Sequence, residues 1–180
     1  MAVNLVAAGH EVIGFDLSAP APAGVTMADS GAAATTGVDA VITMLPNGAI
    51  LRSVAAEVIP SMTTGALLID CSTVDVDSAR AVAEQAVAAG LAPVDAPVSG
   101  GVTGAVAGTL TFMAGGPDAA FQGAEPLFEI MGQKVVHCGP SGNGQAAKIC
   151  NNMILGTAMI ATCFPRTDAA RTLRNAQKAD

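Results

Sequence analysis

The segment Gly142-Asn143-Gly144-Gln145-Ala146-Ala147-Lys148-Ile149-Cys150-Asn151-Asn152 sets one lysine among small and apolar residues. Read as a helix over 145–155, it puts Lys148 and Asn152 four apart, so they share a face one turn from each other. An amine able to take or give a proton then stands beside an amide able to bind a substrate. A lysine that snorkels to water from a helix opened by a Gly-rich turn has the same spacing. The segment Asp95-Ala96-Pro97-Val98-Ser99-Gly100-Gly101 follows an apolar run, 91–94, that reads as a strand. Ser99 and two flexible glycines are therefore expected at a strand end, where open parallel sheets bind ligands. Asp16 closes the first expected strand, where a dinucleotide fold places an acid against the adenosine ribose hydroxyls. Such an acid favours NAD over NADP, whose extra phosphate it repels. An Asp capping its own turn with Ser18 and Pro20 fits the same residues.

These groups need a scaffold, and the hydropathy pattern supplies one. A helix is predicted over 1–9, a strand over 11–16, a short helix over 27–34, a strand over 40–44, a helix over 49–58, a strand over 67–70 and a helix over 75–89. Strands 91–96 and 110–114, a helix over 117–131 and a strand over 134–137 follow, then the helix with Lys148. The strands are near-continuous apolar runs, as parallel strands buried on both faces are. Alternating helices and strands of this kind give a doubly wound α/β fold. Pro117 suits a helix start, and Phe164-Pro165-Arg166 is expected to stop the last helix.

The glycine fingerprint of a dinucleotide fold belongs about 20 residues before the ribose acid. Here the chain opens inside the helix that would follow that loop. Gly142-x-Gly144-x-x-Ala147 imitates the fingerprint, but no strand ending in an acid follows it at the right distance. No Gly-Lys-Ser or Gly-Lys-Thr completes a phosphate loop of the nucleotide-triphosphate type either.

The 180 residues carry eight basic and fifteen acidic side chains, a net charge of −7. Basic residues cluster only over 166–178, which argues against a nucleic-acid surface. Cys71, Cys138, Cys150 and Cys163 form no CxxC pair and read as buried free thiols, which suits the cytoplasm. No apolar run reaches the roughly 20 residues of a membrane span, and no signal-type start is present. Without Trp or Tyr, binding must rest on backbone and small polar groups. His10 and His137 have no identifiable partner and no ligand spacing, and no metal is expected.

Four ordered motifs carry a family resemblance: Asp95 to Gly101 continuing into Gly108-Thr-Leu-Thr-Phe-Met-Ala-Gly-Gly116, Gly142 to Asn152, Thr43-Met-Leu-Pro46, and Asp70-Cys-Ser-Thr73. Over 1–161 the chain resembles the 3-hydroxyisobutyrate dehydrogenases of the β-hydroxyacid dehydrogenase family. The resemblance implies a Rossmann-like, mostly parallel sheet that here lacks its first strand, then a long helix leading to an all-α domain. It divides the chain into a partial NAD(P)-binding domain over 1–140, an inter-domain helix over 141–163 and a divergent, disordered tail over 164–180.

The same resemblance implies Lys148 as acid/base, Asn152 as a substrate ligand, and Ser99, Gly100 and Gly101 as a cradle for the substrate carboxylate. Leu45, Pro46 and Thr73 would line NAD, with Asp16 on its ribose. Ser72 and Thr73 could equally cap the helix near Asp75, and Pro46 could merely shape a turn. A small hydroxy acid is the implied substrate and a homo-oligomer the implied assembly. Val102 is apolar where tartronate semialdehyde reductases usually carry an acid, which favours 3-hydroxyisobutyrate; a tartronate or succinate semialdehyde-type reductase of the same superfamily is the alternative the resemblance leaves open.

The family pattern would begin before Met1 and continue beyond Cys163, so the chain is expected to be truncated at both ends. Two expectations of different kinds follow: an NAD-dependent dehydrogenase, or a catalytically incompetent fragment of one that associates through exposed apolar surface.

Overall fold

A computed structural model describes the backbone of residues 1–176 and the side chains of residues 1–163. The chain divides into a first unit, Met1–Lys148, and a second that begins at Ile149.

The first unit opens on helix α1 (Ala2–Ala7) and strands β1 (Ile13–Gly14) and β2 (Thr26–Met27). Helix α2 (Gly31–Thr35), strand β3 (Ala40–Thr43), helix α3 (Gly48–Val58) and strand β4 (Leu67–Asp70) follow. Then come helix α4 (Val76–Ala88), strands β5 (Ala92–Asp95) and β6 (Val98–Ser99), helix α5 (Gly101–Ala107) and strand β7 (Leu110–Ala114). Helix α6 (Asp118–Met131), strand β8 (Gly132–His137) and helix α7 (Asn143–Ala176) complete the order.

The strands hydrogen-bond in three groups: β1-β2, β3-β4-β5 and β6-β7-β8. All neighbours are parallel except β6 with β7, and an antiparallel bridge between Asp95 and Gly115 ties β5 to the end of β7. The expected Rossmann-like, mostly parallel α/β architecture is therefore present.

Alternation along β4 sends neighbouring side chains to two cores. Leu68 packs with Val41, Leu51, Ala55, Val82 and Ala86 beneath α3 and α4. Ile69 packs with Leu5, Val94, Leu110, Phe112 and Phe128 beneath α1 and α6. The Phe112 and Phe128 rings lie 4.7 Å apart at the centre of the second core.

Caps fix where the helices start. Ser30, Asn47 and Asp75 each accept a bond from the backbone N–H three residues on, satisfying a donor that a helix start leaves unpaired. The Ser30 cap corrects the helix predicted over 27–34, because it moves the start to Gly31 and leaves Met27 in β2. The Asp75 cap likewise removes Ser72 and Thr73 from capping α4. Asp75→Ala is expected to cost about 1 kcal/mol, read as a lower urea midpoint with an unchanged slope.

Three further predictions are corrected. Two-residue β6 and helix α5 lie where the sequence suggests only a glycine-rich loop. Of the cysteines read as buried, Cys71 is, whereas Cys138 is half-buried and Cys150 and Cys163 are exposed. The backbone of α7 continues through Pro165 to Ala176, where a stop is predicted; an interior proline deletes one helix bond without having to end the helix. Residues 177–180 of the expected tail lie outside the described residues. Among the described residues no helix is long and apolar enough to cross a membrane.

The second unit, over its described residues, is helical backbone of α7. Met153, Ile154, Leu155, Met159 and Ile160 are exposed on it.

Candidate active site

Lys148 lies in the first turns of α7, and its Nζ donates to Ser99 Oγ at 2.8 Å. Two motifs 49 residues apart in sequence thus meet at one hydrogen bond. Lys148 is only 9% exposed, and burial lowers its pKa from the ordinary lysine value because desolvation penalises the ammonium. Ser99 ends β6, and the chain then turns through Gly100 at φ +130° and Gly101 at φ +60° into α5. Side chains rarely adopt such backbone, so glycine here lets exposed peptide groups curl beside the lysine.

The start of α7 is held by a buried carboxylate. Asp95 Oδ1 accepts from the Gly142 N–H at 2.6 Å, and Oδ2 from the Gln145 N–H at 3.0 Å. Both bonds pair amides that a helix start leaves open. Burial nevertheless dominates and raises the Asp95 pKa to about 6, with the neighbouring Asp70 carboxylate adding to the rise. Backbone packs on backbone here: a Cβ on Gly144 would strike the carbonyl oxygens of Met113 and Asp95. Gln145 is fully buried; its Oε1 accepts from the Val74 N–H at 3.1 Å and its Nε2 donates to the Ser72 carbonyl at 2.8 Å.

A second buried acid organises the loops after β3 and β4. Asp70 Oδ1 accepts from Thr43 Oγ1 at 2.8 Å, Ser72 Oγ at 2.6 Å and the Ser72 N–H at 3.1 Å. Ser72 Oγ in turn accepts from the Leu45 N–H at 2.8 Å. Asp70 Oδ2 is buried without a partner, and burial raises the Asp70 pKa despite the three donors. Thr43 and Asp70 are register partners, as are Asp70 and Asp95, so these groups line up across three strand ends.

This network brings Leu45 and Pro46 beside the turn that carries Thr73. Leu45 is half-buried, while Pro46 and Thr73 face solvent. The strand predicted over 11–16 stops at Gly14, so the exposed Asp16 lies just beyond β1 rather than closing it. Its Oδ1 accepts from the N–H groups of Ala19 at 2.7 Å and Ser18 at 2.8 Å, which hold its pKa below the usual carboxylate value. That is the self-capped turn, and it also presents an ionised carboxylate. Asn152 is exposed and belongs to the second unit. His137, read as partnerless, shares a hydrogen bond between Nε2 and the Gly116 carbonyl at 3.0 Å and stacks on Phe121 at 4.3 Å.

Sequence reading missed Asp70, Asp95 and Gln145 as parts of the site. Charged or amide residues at strand ends and within a Gly-rich helix start are the signal that was available.

The model of the NAD binding domain of 6-phosphogluconate dehydrogenase matches residues 1–139. A 3-hydroxyisobutyrate dehydrogenase of Pseudomonas aeruginosa is 47% identical over 170 residues, which are 90% of this chain and 57% of the relative. An NAD-dependent L-serine dehydrogenase of the same organism is 44% identical over 170 residues, again 90% and 57% of the two chains. The structure of Mycobacterium tuberculosis 3-hydroxyisobutyrate dehydrogenase with L-serine superposes with a TM-score of 0.84 at 45% identity, covering 89% of this chain and 57% of that one. The chain thus spans little more than half the length of the relatives it matches.

Proposed function

Because the chain belongs to the family of NAD binding domains represented by that of 6-phosphogluconate dehydrogenase, we propose that it serves NAD-dependent oxidation of a small β-hydroxy acid, 3-hydroxyisobutyrate foremost. The observation that carries this reading is the 2.8 Å bond from buried Lys148 to Ser99, which joins a proton-transfer group to a glycine-rich turn suited to a carboxylate.

The residues present fit NAD: the exposed Asp16 carboxylate suits ribose hydroxyls, and the exposed Pro46 and Thr73 stand on loops cross-linked by Ser72. NADP suits Asp16 less. When bound, NAD supplies the acceptor for the hydride that leaves the substrate carbinol carbon. This chain's residues handle the proton and the orientation. Neutral Lys148 takes the hydroxyl proton at Nζ as the carbonyl forms, and burial makes that neutral form more accessible. Ser99 Oγ orients the amine, and the Gly100 and Gly101 amides face the carboxylate. Asn152 would add a substrate hydrogen bond, and Leu45 would line the cofactor with Pro46 and Thr73.

On this reading residues 1–140 form part of the NAD-binding domain and 141–163 an inter-domain helix towards an all-α domain, with a divergent tail over 164–180. The setting is the cytoplasm, where Cys71, Cys138 and Cys150 persist as thiols, and the assembly is a homo-oligomer.

Mixing purified chain, NAD and 3-hydroxyisobutyrate is expected to raise absorbance from NADH, and faster than L-serine does. Turnover of L-serine alone would reassign the substrate. No turnover at saturating NAD would leave the second reading, a fragment that does not catalyse on its own. The exposed Met153, Ile154 and Leu155 of the second unit favour association in that case.

A further inference from the structure

Gln145 makes three buried hydrogen bonds that lead to different parts of the chain. Its backbone N–H donates to Asp95, and its side chain bonds Val74 N–H and the Ser72 carbonyl. The two side-chain bonds fall on either side of Thr73, so one amide brackets that residue. Three positions along the same helix, Lys148 reaches Ser99. Gln145 and Lys148 therefore share a helix face. The single turn between them is tied to the loop after β4, to the end of β5 and to the end of β6. Close packing of Gly144 on the Met113 and Asp95 carbonyls removes room for that turn to slide.

A merely space-filling role would need neither end of the amide. An apolar residue of similar volume would fill the site while leaving the Val74 donor and the Ser72 acceptor unpaired. The amide's donor and acceptor instead match two backbone groups that no strand or helix pairs.

We propose that Gln145 is a positioning residue that fixes the Thr73 turn relative to Lys148, so that one side chain sets the spacing between the cofactor-lining loop and the proton acceptor. The inference rests on the proposed dehydrogenase reading for its purpose, but its geometry can be tested without turnover.

Gln145→Met keeps volume and removes both bonds. Three lysines, Lys134, Lys148 and Lys178, make a 13C-lysine NMR titration assignable. In folded Q145M, hydrogen exchange at the Val74 amide is expected to speed up about tenfold. The Lys148 midpoint is expected to move up towards the ordinary lysine value as water reaches Nζ. An unchanged Lys148 midpoint in folded Q145M overturns the proposal, even if the melting temperature falls. Should Q145M fail to fold, the native chain decides. Exchange of the Val74 N–H and the Gln145 Nε2 protons as slow as that of the α7 amides supports the clamp, and faster exchange at both overturns it. Absence of NADH formation would remove the dehydrogenase reading and leave each of these outcomes readable.

Discussion

Lys148→Ala is expected to lower kcat for NAD-linked hydroxy-acid oxidation by roughly 10²–10⁴-fold, the usual contribution of a positioned acid or base, while NADH affinity stays nearly unchanged. Lys148 meets Ser99, and Leu45, Pro46 and Thr73 belong to other loops, so the lysine can be lost without dismantling the bonds that Ser72 makes between those loops. Lys148→Arg should be as inactive as alanine, because a guanidinium stays protonated and cannot accept the hydroxyl proton. In the native chain, kcat/KM for oxidation should rise with pH through the folded Lys148 pKa. Burial lowers that pKa, so the limb lies below the ordinary lysine value near ~10.4. Initial rates across pH, with NADH fluorescence titrations in parallel, check both parts. Unchanged kcat in K148A removes the lysine from the mechanism.

The strands that hold the site were legible because their chemistry is local. Val41, Leu68, Ile69 and Val94 sit in short apolar runs, and the structure places them in β3, β4 and β5, buried. Lys148 and Ser99 were legible as separate motifs, since a lone amine in an apolar helix and a serine before two glycines are each unusual. Their meeting was not legible from spacing. It requires β6 to turn antiparallel against β7, and two residues are too few for a periodic signal. Helix α5 was hidden for a related reason: Gly100 and Gly101 read as loop, and their positive φ values make the turn that leads into the helix. Gln145 and Asp95 were hidden more deeply. Their partners are backbone groups 50 and 71 residues away, which no pattern along the chain can reveal. The three capping residues show the converse case, where Ser30, Asn47 and Asp75 act within four residues of themselves and could have been read directly.

Asp95→Ala is expected to destabilise the chain by roughly 3 kcal/mol, because it leaves the buried Gly142 and Gln145 amides without their acceptor. The pH dependence of the native chain identifies the cause. Burial raises the Asp95 pKa in the fold to about 6, above its ordinary 3.8, so between those values the folded chain holds more protons than the unfolded one. Stability from this group is therefore fully present below about pH 4 and is lost as pH rises through about 6, a span on the order of 3 kcal/mol. Asp70 shifts in the same direction and adds to the slope. Asp16 and Asp75 shift downward, so their contributions change only at lower pH, outside this window. Urea unfolding at pH 5 and pH 7 should find the native chain more stable at pH 5. Asp95→Asn should reduce the difference, and adding Asp70→Asn should reduce it further. Equal stability of the native chain at the two pH values would mean that Asp95 is as ionised in the fold as in water. In that case its two amide bonds, rather than its burial, would control the carboxylate that starts the lysine helix.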